Sequence, residues 1–310
     1  MSKIIKIGTR GSQLALYQAN KVKSELENHC PDIQFEIEII KTKGDKILDV
    51  ALSKIGDKGL FTKEIETALS DGIVDLAVHS LKDLPTVLPE GLILGGVLKR
   101  AEFRDALVSV SGKKMKDLDT TDIIATSSLR RKAQLLKINP GFKIVDVRGN
   151  VNTRLKKMEE GYCTAMIMAA AGLQRLGFDK FISEIIDEKV IVPAVSQGII
   201  AIETRENDEI IQPLIDKIND EETNLTARAE RVFLNVLQGG CQVPVGCYTI
   251  CKADEFSIYG FISMPDGTDI IEDSLSGKIT EAEQIAKKLA LSFYEKGASK
   301  IIEYIREIND

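Results

Sequence analysis

VIVPAVSQGIIAIE, Val190 to Glu203, regains strand character after two separate runs of alternating strands and helices have been completed. A strand arriving this late can return the chain to the first run, which makes the first domain discontinuous. In that first run Ile4 to Gly8 reads as a strand, and Gln13 to Leu26 as a helix with Leu14, Ala15, Tyr17, Val22 and Leu26 near one face. A strand from Phe35 to Lys41, a helix from Phe61 to Leu69 that stops at Asp71-Gly72, and a strand from Val74 to His79 complete a β-α-β-α-β set. The second run has strands at Ile123 to Thr126, Lys143 to Val147 and Ala165 to Ala169, with helices at Leu129 to Ile138, Asn152 to Glu160 and Ala171 to Leu176. Beyond the returning strand the pattern reads as a helix, three strands (Val245 to Cys251, Ser257 to Ser263, Ile270 to Ser276) and a long helix from Ala282 to Glu295. The expected class is α/β: domain 1 from residues 1–98 and 199–217, domain 2 from 104–193, and a small C-terminal α+β domain from 221–310.

A hydrophobic share of 44% with 28% charged residues over 310 positions is that of an ordinary globular protein, so disorder explains no long segment. The net charge of −6 argues against nucleic acid as a general partner, since phosphate binding needs a basic field. Five cysteines (Cys30, Cys163, Cys241, Cys247 and Cys251) form no CxxC pair, and their odd number suits a reducing compartment better than a disulfide framework. Both histidines, His29 and His79, are remote in sequence from the cysteine group, and no metal is expected. The start MSKIIKIGTRGS has no apolar signal core, and no run reaches the roughly 18 apolar residues of a membrane span, so the expected location is the cytoplasm.

Three strand-to-helix junctions combine arginine with hydroxyl or amide side chains: Thr9-Arg10-Gly11-Ser12, Thr126 to Arg131 and Arg148 to Arg154. Such junctions present unpaired backbone N–H groups and the positive helix end to one spot, while guanidinium groups grip carboxylates bidentately. One junction alone is explained by helix capping; three in a net acidic chain point to a ligand with several negative groups. Neither GxxxxGK[ST] nor GxGxxG is present, which favours carboxylates over phosphate. Thr42 to Gly59 shows no sustained period, carries three glycines and reads as a lid, from which Lys54 and Lys58 could add charge; solvated lysines are the plain alternative. Asp83, after a strand and before Leu84-Pro85, stands where open α/β sheets put ligand-facing groups, although a turn-forming role is equally consistent. His79 reads as a structural histidine within its strand. Cys241, in the loop Gly239-Gly240-Cys241-Gln242-Val243-Pro244-Val245-Gly246, is either an attachment point or nucleophile, or a buried structural thiol.

Taken together, AVHSLKDLP (77–85), ATSSLRR (125–131), VRGNVNTRL (147–155), AAAGLQRLG (169–177), PAVSQGIIAIE (193–203) and GGCQVPVG (239–246) resemble the porphobilinogen deaminase family across essentially the whole chain. The resemblance implies two periplasmic-binding-protein-like α/β domains flanking a cleft, plus the small third domain. It implies a transferase of tetrapyrrole and haem synthesis that joins four porphobilinogens head to tail, releasing ammonia at each addition, to give hydroxymethylbilane. The implied cofactor is dipyrromethane, held by Cys241 through a thioether. Loss of ammonia yields an azafulvene-type electrophile, for which a soft sulfur is a suitable anchor. By similarity, Asp83 is catalytic, and Lys82, Asp83, Ser128, Arg130 and Arg131 hold the cofactor. Arg10, Ser12, Arg148, Arg154, Arg175 and Gln197, with Lys54 and Lys58, would then grip substrate. The resemblance further implies a monomer whose product passes to uroporphyrinogen-III synthase. Gln238 departs from the acidic residue that often precedes the two glycines. Rival readings are a carboxylate-binding protein with a two-domain cleft, and a thiol-dependent acyl transferase, which lacks a histidine base.

Overall fold

The computed structural model describes residues 4–46, 59–238 and 243–308. In chain order the first elements are β1 (Ile5–Thr9), α1 (Gln13–His29), β2 (Phe35–Ile39), α2 (Lys43–Lys46), α3 (Lys63–Ser70), β3 (Leu76–Ser80) and β4 (Leu92–Val97). There follow β5 (Asp105–Ser109), β6 (Ile123–Ala125), α4 (Leu129–Ile138), β7 (Lys143–Val145), α5 (Val151–Glu159), β8 (Ala165–Ala169), α6 (Ala170–Arg175) and β9 (Ile182–Ile185). The chain ends with β10 (Ile200–Arg205), α7 (Gln212–Ile215), α8 (Glu221–Val236), β11 (Val245–Lys252), β12 (Glu255–Ile262), β13 (Ile271–Lys278), α9 (Ala282–Glu295) and α10 (Ala298–Glu307). The described residues form two compact units: 4–46, 59–101 and 198–225 in one, and 102–197, 226–238 and 243–308 in the other.

The first unit is built on a five-stranded sheet of order β2-β1-β3-β10-β4. β1 pairs in parallel with β2 and β3, and β10 runs antiparallel between β3 and β4. Alternate side chains of each strand leave on opposite faces, so both faces need cover. On one face Ile5, Ile7, Val78, Ile200 and Ile202 belong to a core with Ala19, Val22 and Leu26 of α1. Another core joins Ala77 and Leu92 to Ile65, Ala68 and Leu69 of α3.

The second unit holds a five-stranded sheet of order β7-β6-β8-β5-β9. It repeats the plan of the first: β6 is parallel to β7 and β8, and β5 runs antiparallel between β8 and β9. The period of two is visible in β8, where Met166 and Met168 join the core of α5 and α6 while Ala165 and Ile167 join that of α4. The same unit contains an antiparallel three-stranded meander, β11-β12-β13, backed by α9.

α4, β8 and α9 coincide with the sequence reading. β4, β5, β9 and α10 were not anticipated, and of Val190 to Glu203 only the end is strand. β4 was hidden by its glycines. A Cβ on Gly95 would lie 2.6 Å from Thr204 Oγ1, and one on Gly96 would lie 2.5 Å from Ile215 Cγ2. Those glycines admit β10 and α7 at close range, a requirement that local propensity cannot register. Among the described residues no helix is long and apolar enough to cross a membrane.

Phe233 and Phe293 are fully buried and meet edge to face, with ring centroids 5.3 Å apart and planes at 88°. The Phe293→Ala variant is expected to lose about 3–5 kcal/mol of stability, to be read from urea unfolding followed by circular dichroism; an unchanged midpoint would contradict this packing.

Candidate functional site

In the first unit, β3 feeds a single tight turn, Leu81–Asp83, closed by the Leu84 N–H donating to the Leu81 carbonyl at 3.1 Å. Leu81 and Leu84 point inward, 1% and 4% exposed, so the two residues between them, Lys82 and Asp83, are turned outward. Pro85 ends the turn, because it has no N–H to continue a helix. Asp83 is exposed, and its carboxylate accepts no hydrogen bond from the described residues. The neighbouring Ser80 is engaged by the buried Gln18, whose Nε2 donates to the serine Oγ at 2.8 Å. His79 is buried, with Nε2 3.0 Å from Glu203 Oε2 on the adjacent strand. A structural reading of His79 fits this geometry. Burial, seconded by the charge of Glu203, pushes the carboxyl of Glu66 on α3 above its ordinary value.

Ser12 caps α1, its Oγ accepting from the Ala15 N–H at 3.3 Å. Its own hydroxyl proton is given to no described residue. Arg10 pairs with Asp45, Nη2 to Oδ1 at 2.5 Å and Nε to Oδ1 at 3.2 Å, and its guanidinium stacks 4.1 Å from the Phe61 ring centre. Burial opposes ionisation of Asp45, but Arg10 and Thr42 outweigh it and hold the carboxyl below its ordinary value.

In the second unit the decisive residue is one the sequence reading did not single out. Asp105, at the start of β5, has no exposed surface. Its Oδ2 accepts from Arg130 Nη2 at 2.9 Å, and its Oδ1 accepts from Arg131 Nη2 at 2.7 Å and Gln197 Nε2 at 2.9 Å. Burial alone would raise this carboxyl; the two guanidiniums prevail and hold it far below the usual carboxylate range. Burial also pulls Arg130 down from its ordinary value against the opposing pull of Asp105. Arg130 Nη1 further donates to the Val192 carbonyl at 2.5 Å, and Arg131 Nη1 to the Ile167 carbonyl at 3.0 Å. One carboxylate between two guanidiniums leaves one positive charge in surplus, and the buried Arg131 Nε finds no acceptor among the described residues.

Gln197 reaches Asp105 from a constrained turn. Ser196 has φ 60, a left-handed conformation uncommon for a side-chain-bearing residue, and its N–H donates to Glu230 Oε2 at 2.6 Å. The Gln197 amide nitrogen also donates to the Phe103 carbonyl at 2.8 Å. At the α4 junction Ser128 caps the helix, accepting from the Arg131 N–H at 3.5 Å. Asn150 does the same for α5, accepting from the Thr153 N–H at 2.9 Å. Arg154 Nε donates to the Gly149 carbonyl at 2.8 Å. Burial draws the Arg148 guanidinium below its ordinary value, with Asp146 opposing. Arg175 lies at the C-terminal end of α6. The capping predicted as the plain alternative is therefore present at all three junctions, and at two of them the capping serine accepts a hydrogen bond while giving its own hydroxyl proton to no described residue.

The family model for porphobilinogen deaminase, dipyromethane cofactor binding domain, matches residues 5–213, and that for the porphobilinogen deaminase C-terminal domain matches 224–295. The chain belongs to the porphobilinogen deaminase family. The porphobilinogen deaminase of Syntrophomonas wolfei is 47% identical over 96% of this chain and 97% of its own length. That of Chlorobaculum tepidum is 46% identical, covering 99% of each chain. Among solved structures, the periplasmic VFT2 domain of Bordetella pertussis BvgS superposes with a TM-score of 0.42 at 14% identity, over 69% of this chain and 86% of its own.

Dipyrromethane is the cofactor of the porphobilinogen deaminase family, and the residues present fit its carboxylate side chains: a surplus buried charge, an unfilled Arg131 N–H and an ungiven Ser128 hydroxyl. Cys241, Lys54, Lys58 and most of the lid reading lie outside the described residues. Only the short α2 of that segment is described. Among the described cysteines, Cys30, Cys163 and Cys247 are buried and Cys251 partly so, and burial pushes the Cys163 thiol up to about 11. A signal for Asp105 did exist in the sequence, an isolated acid opening an apolar strand, but its partners lie 25, 26 and 92 positions away.

Alkylation of the native protein should leave Cys30, Cys163 and Cys247 unmodified until denaturant is added, as peptide mass mapping would reveal. Glu66 has a raised folded-state value, so its contribution to stability is present at acid pH and lost as pH rises through that value. The Glu66→Gln variant should therefore match the wild type in acid and exceed it near neutrality in urea unfolding; the reverse trend would refute the assigned shift.

Proposed function

We propose that this chain builds the linear tetrapyrrole hydroxymethylbilane from four molecules of porphobilinogen, with Asp83 as its catalytic residue and Cys241 as its point of cofactor attachment. The observation that carries this reading is the family match running through nearly the whole chain, with every motif residue the chemistry needs in place. The dipyrromethane cofactor, when bound, supplies a pyrrole end to which new rings are joined. Cys241 would hold it through a thioether, a link suited to a soft nucleophile and a carbon electrophile.

Asp83 is supported as the acid and base by its exposed carboxylate at the end of β3, engaged by no described residue. From there it can accept hydrogen bonds from pyrrole N–H groups, stabilise positive charge as ammonia departs and carry a proton between steps. Lys82, Ser128, Arg130 and Arg131 would hold the cofactor carboxylates. Arg10, Ser12, Arg148, Arg154 and Arg175, with Lys54 and Lys58, would receive the acetate and propionate groups of substrate and growing chain. To do so, Arg10 must exchange Asp45 for a ligand carboxylate. Gln197, its amide nitrogen given to Asp105 and Phe103, would act by shaping the site. We further propose three domains (1–98 with 199–217, 104–193 and 221–310), a monomeric state, a cytoplasmic location and transfer of product to uroporphyrinogen-III synthase.

Intact mass of the purified protein beside Cys241→Ser tests the attachment. The wild type should carry two linked pyrrole units and the variant none; a wild type that neither carries them nor acquires them from porphobilinogen would leave a carboxylate-binding protein instead. Asp83→Asn should fold and load normally yet lose roughly 10²–10⁴ in kcat; full turnover would remove Asp83 from the catalytic role.

A further inference from the structure

Arg130 does more than face a ligand. Its Nη1 is bound to the Val192 carbonyl, and that same residue is gripped by Gln134, whose Oε1 accepts from the Val192 N–H at 2.7 Å and whose Nε2 donates to its carbonyl at 3.1 Å. The next carbonyl, of Pro193, accepts from the Cys247 N–H at 3.1 Å. Gly246 packs against the same point: a Cβ there would lie 2.7 Å from the Pro193 oxygen, 3.0 Å from the Val192 oxygen and 3.1 Å from Arg130 Cδ. A continuous line of contacts therefore runs from Asp105 through Arg130 and Val192-Pro193 to the entry of β11. Gly246, the second residue of β11, lies five positions after Cys241 in the sequence.

We propose that Asp105 is a positioning residue for cofactor attachment: it holds Arg130 and Arg131 as one unit of single positive charge and, through Arg130 and Val192-Pro193, fixes the chain at Gly246 downstream of Cys241. The inference rests on the reading of Cys241 given above. In attachment the C–N bond of an aminomethylpyrrole breaks, a C–S bond forms, and the thiol proton leaves with ammonia. The reacting carbon must reach the sulfur while its ring carboxylates are held, so the anion grip and the loop need a fixed mutual placement. A small misplacement of reacting groups is costly in rate. Asp105 touches neither partner, and its effect passes through the arginines and the Gly246 contact. Without the carboxylate, two buried guanidiniums face each other uncompensated and the grip loses its geometry.

Apoprotein of the wild type, Asp105→Asn, Asp105→Glu, Gly246→Ala and Cys241→Ser would be incubated with porphobilinogen. Loading would be followed by intact mass and by the absorbance of bound pyrrole, with circular dichroism and thermal melting as the check on folding. Asp105→Asn and Gly246→Ala are expected to fold and to load about tenfold or more slowly than wild type, with partial rescue in Asp105→Glu. Gly246→Ala leaves every charge in place, so its slowing reports the packing of Gly246 on Val192-Pro193 and Arg130 without loss of a carboxylate, and it decides the matter if Asp105→Asn does not fold. Loading at the wild-type rate in folded Asp105→Asn or folded Gly246→Ala overturns the proposal. Failure of both to fold also overturns it, since the cluster would then serve folding alone. A wild type that does not load, or a Cys241→Ser variant that does, refutes the attachment reading itself.

Discussion

Two arginines and a glutamine converge on one fully buried carboxylate, Asp105, and the order of the second unit around its arginine-bearing helix follows from that convergence. Buried charges are costly unless each finds partners with good geometry. Here the acid is met by three donors, while each arginine also gives an Nη1 hydrogen to a carbonyl, Arg130 to Val192 and Arg131 to Ile167. The carboxylate thereby joins the start of β5, the first turn of α4, the interior of β8 and the 192–197 segment. One carboxylate between two guanidiniums leaves the pair of cations not fully neutralised.

The two five-stranded sheets share one plan, and the plan explains where the chemistry-bearing residues stand. In one, β1 pairs in parallel with β2 and β3 and an antiparallel strand lies between β3 and β4; in the other, β6 pairs in parallel with β7 and β8 and an antiparallel strand lies between β8 and β9. In the first sheet that antiparallel strand is β10, contributed after the second sheet is complete; in the second it is β5, contributed before the others. Helices or tight turns that follow β1, β3, β6 and β8 carry Ser12, Asp83, Ser128 and Arg175. Within each sheet taken by itself, parallel strands deliver their carboxyl ends to one edge. Caps satisfy the backbone at these junctions, and the capping side chains keep a proton to donate. Capping and ligand binding are thus compatible uses of one serine.

The sequence made much of this legible. Helix Leu129–Ile138 and strand Ala165–Ala169 follow from hydrophobic period alone, because each buries a regular stripe or alternation. His79 reads as structural from the sequence, and its geometry fits: a histidine within an apolar strand needs a buried partner, and Glu203 supplies it. Less legible were β4, whose two glycines lower strand propensity while permitting the approach of Thr204 and Ile215, and β9, whose four residues are all half-buried. Among candidate site residues, the motifs named Arg130, Arg131 and Gln197 but were silent on what holds them.

By itself the sequence determined the class of the protein, its family and the residue types available for chemistry, because period, capping pattern and motif are local or near-local properties of a chain. Only the tertiary structure decided that Arg10 is paired with Asp45, that Arg130 and Arg131 share one acid with Gln197, and that Gly246 must lack a side chain to sit on Pro193 and Arg130. Those facts depend on which distant side chains exclude water together. Electrostatic pairing strengthens steeply as water is removed, and burial of this kind is set by the packed whole.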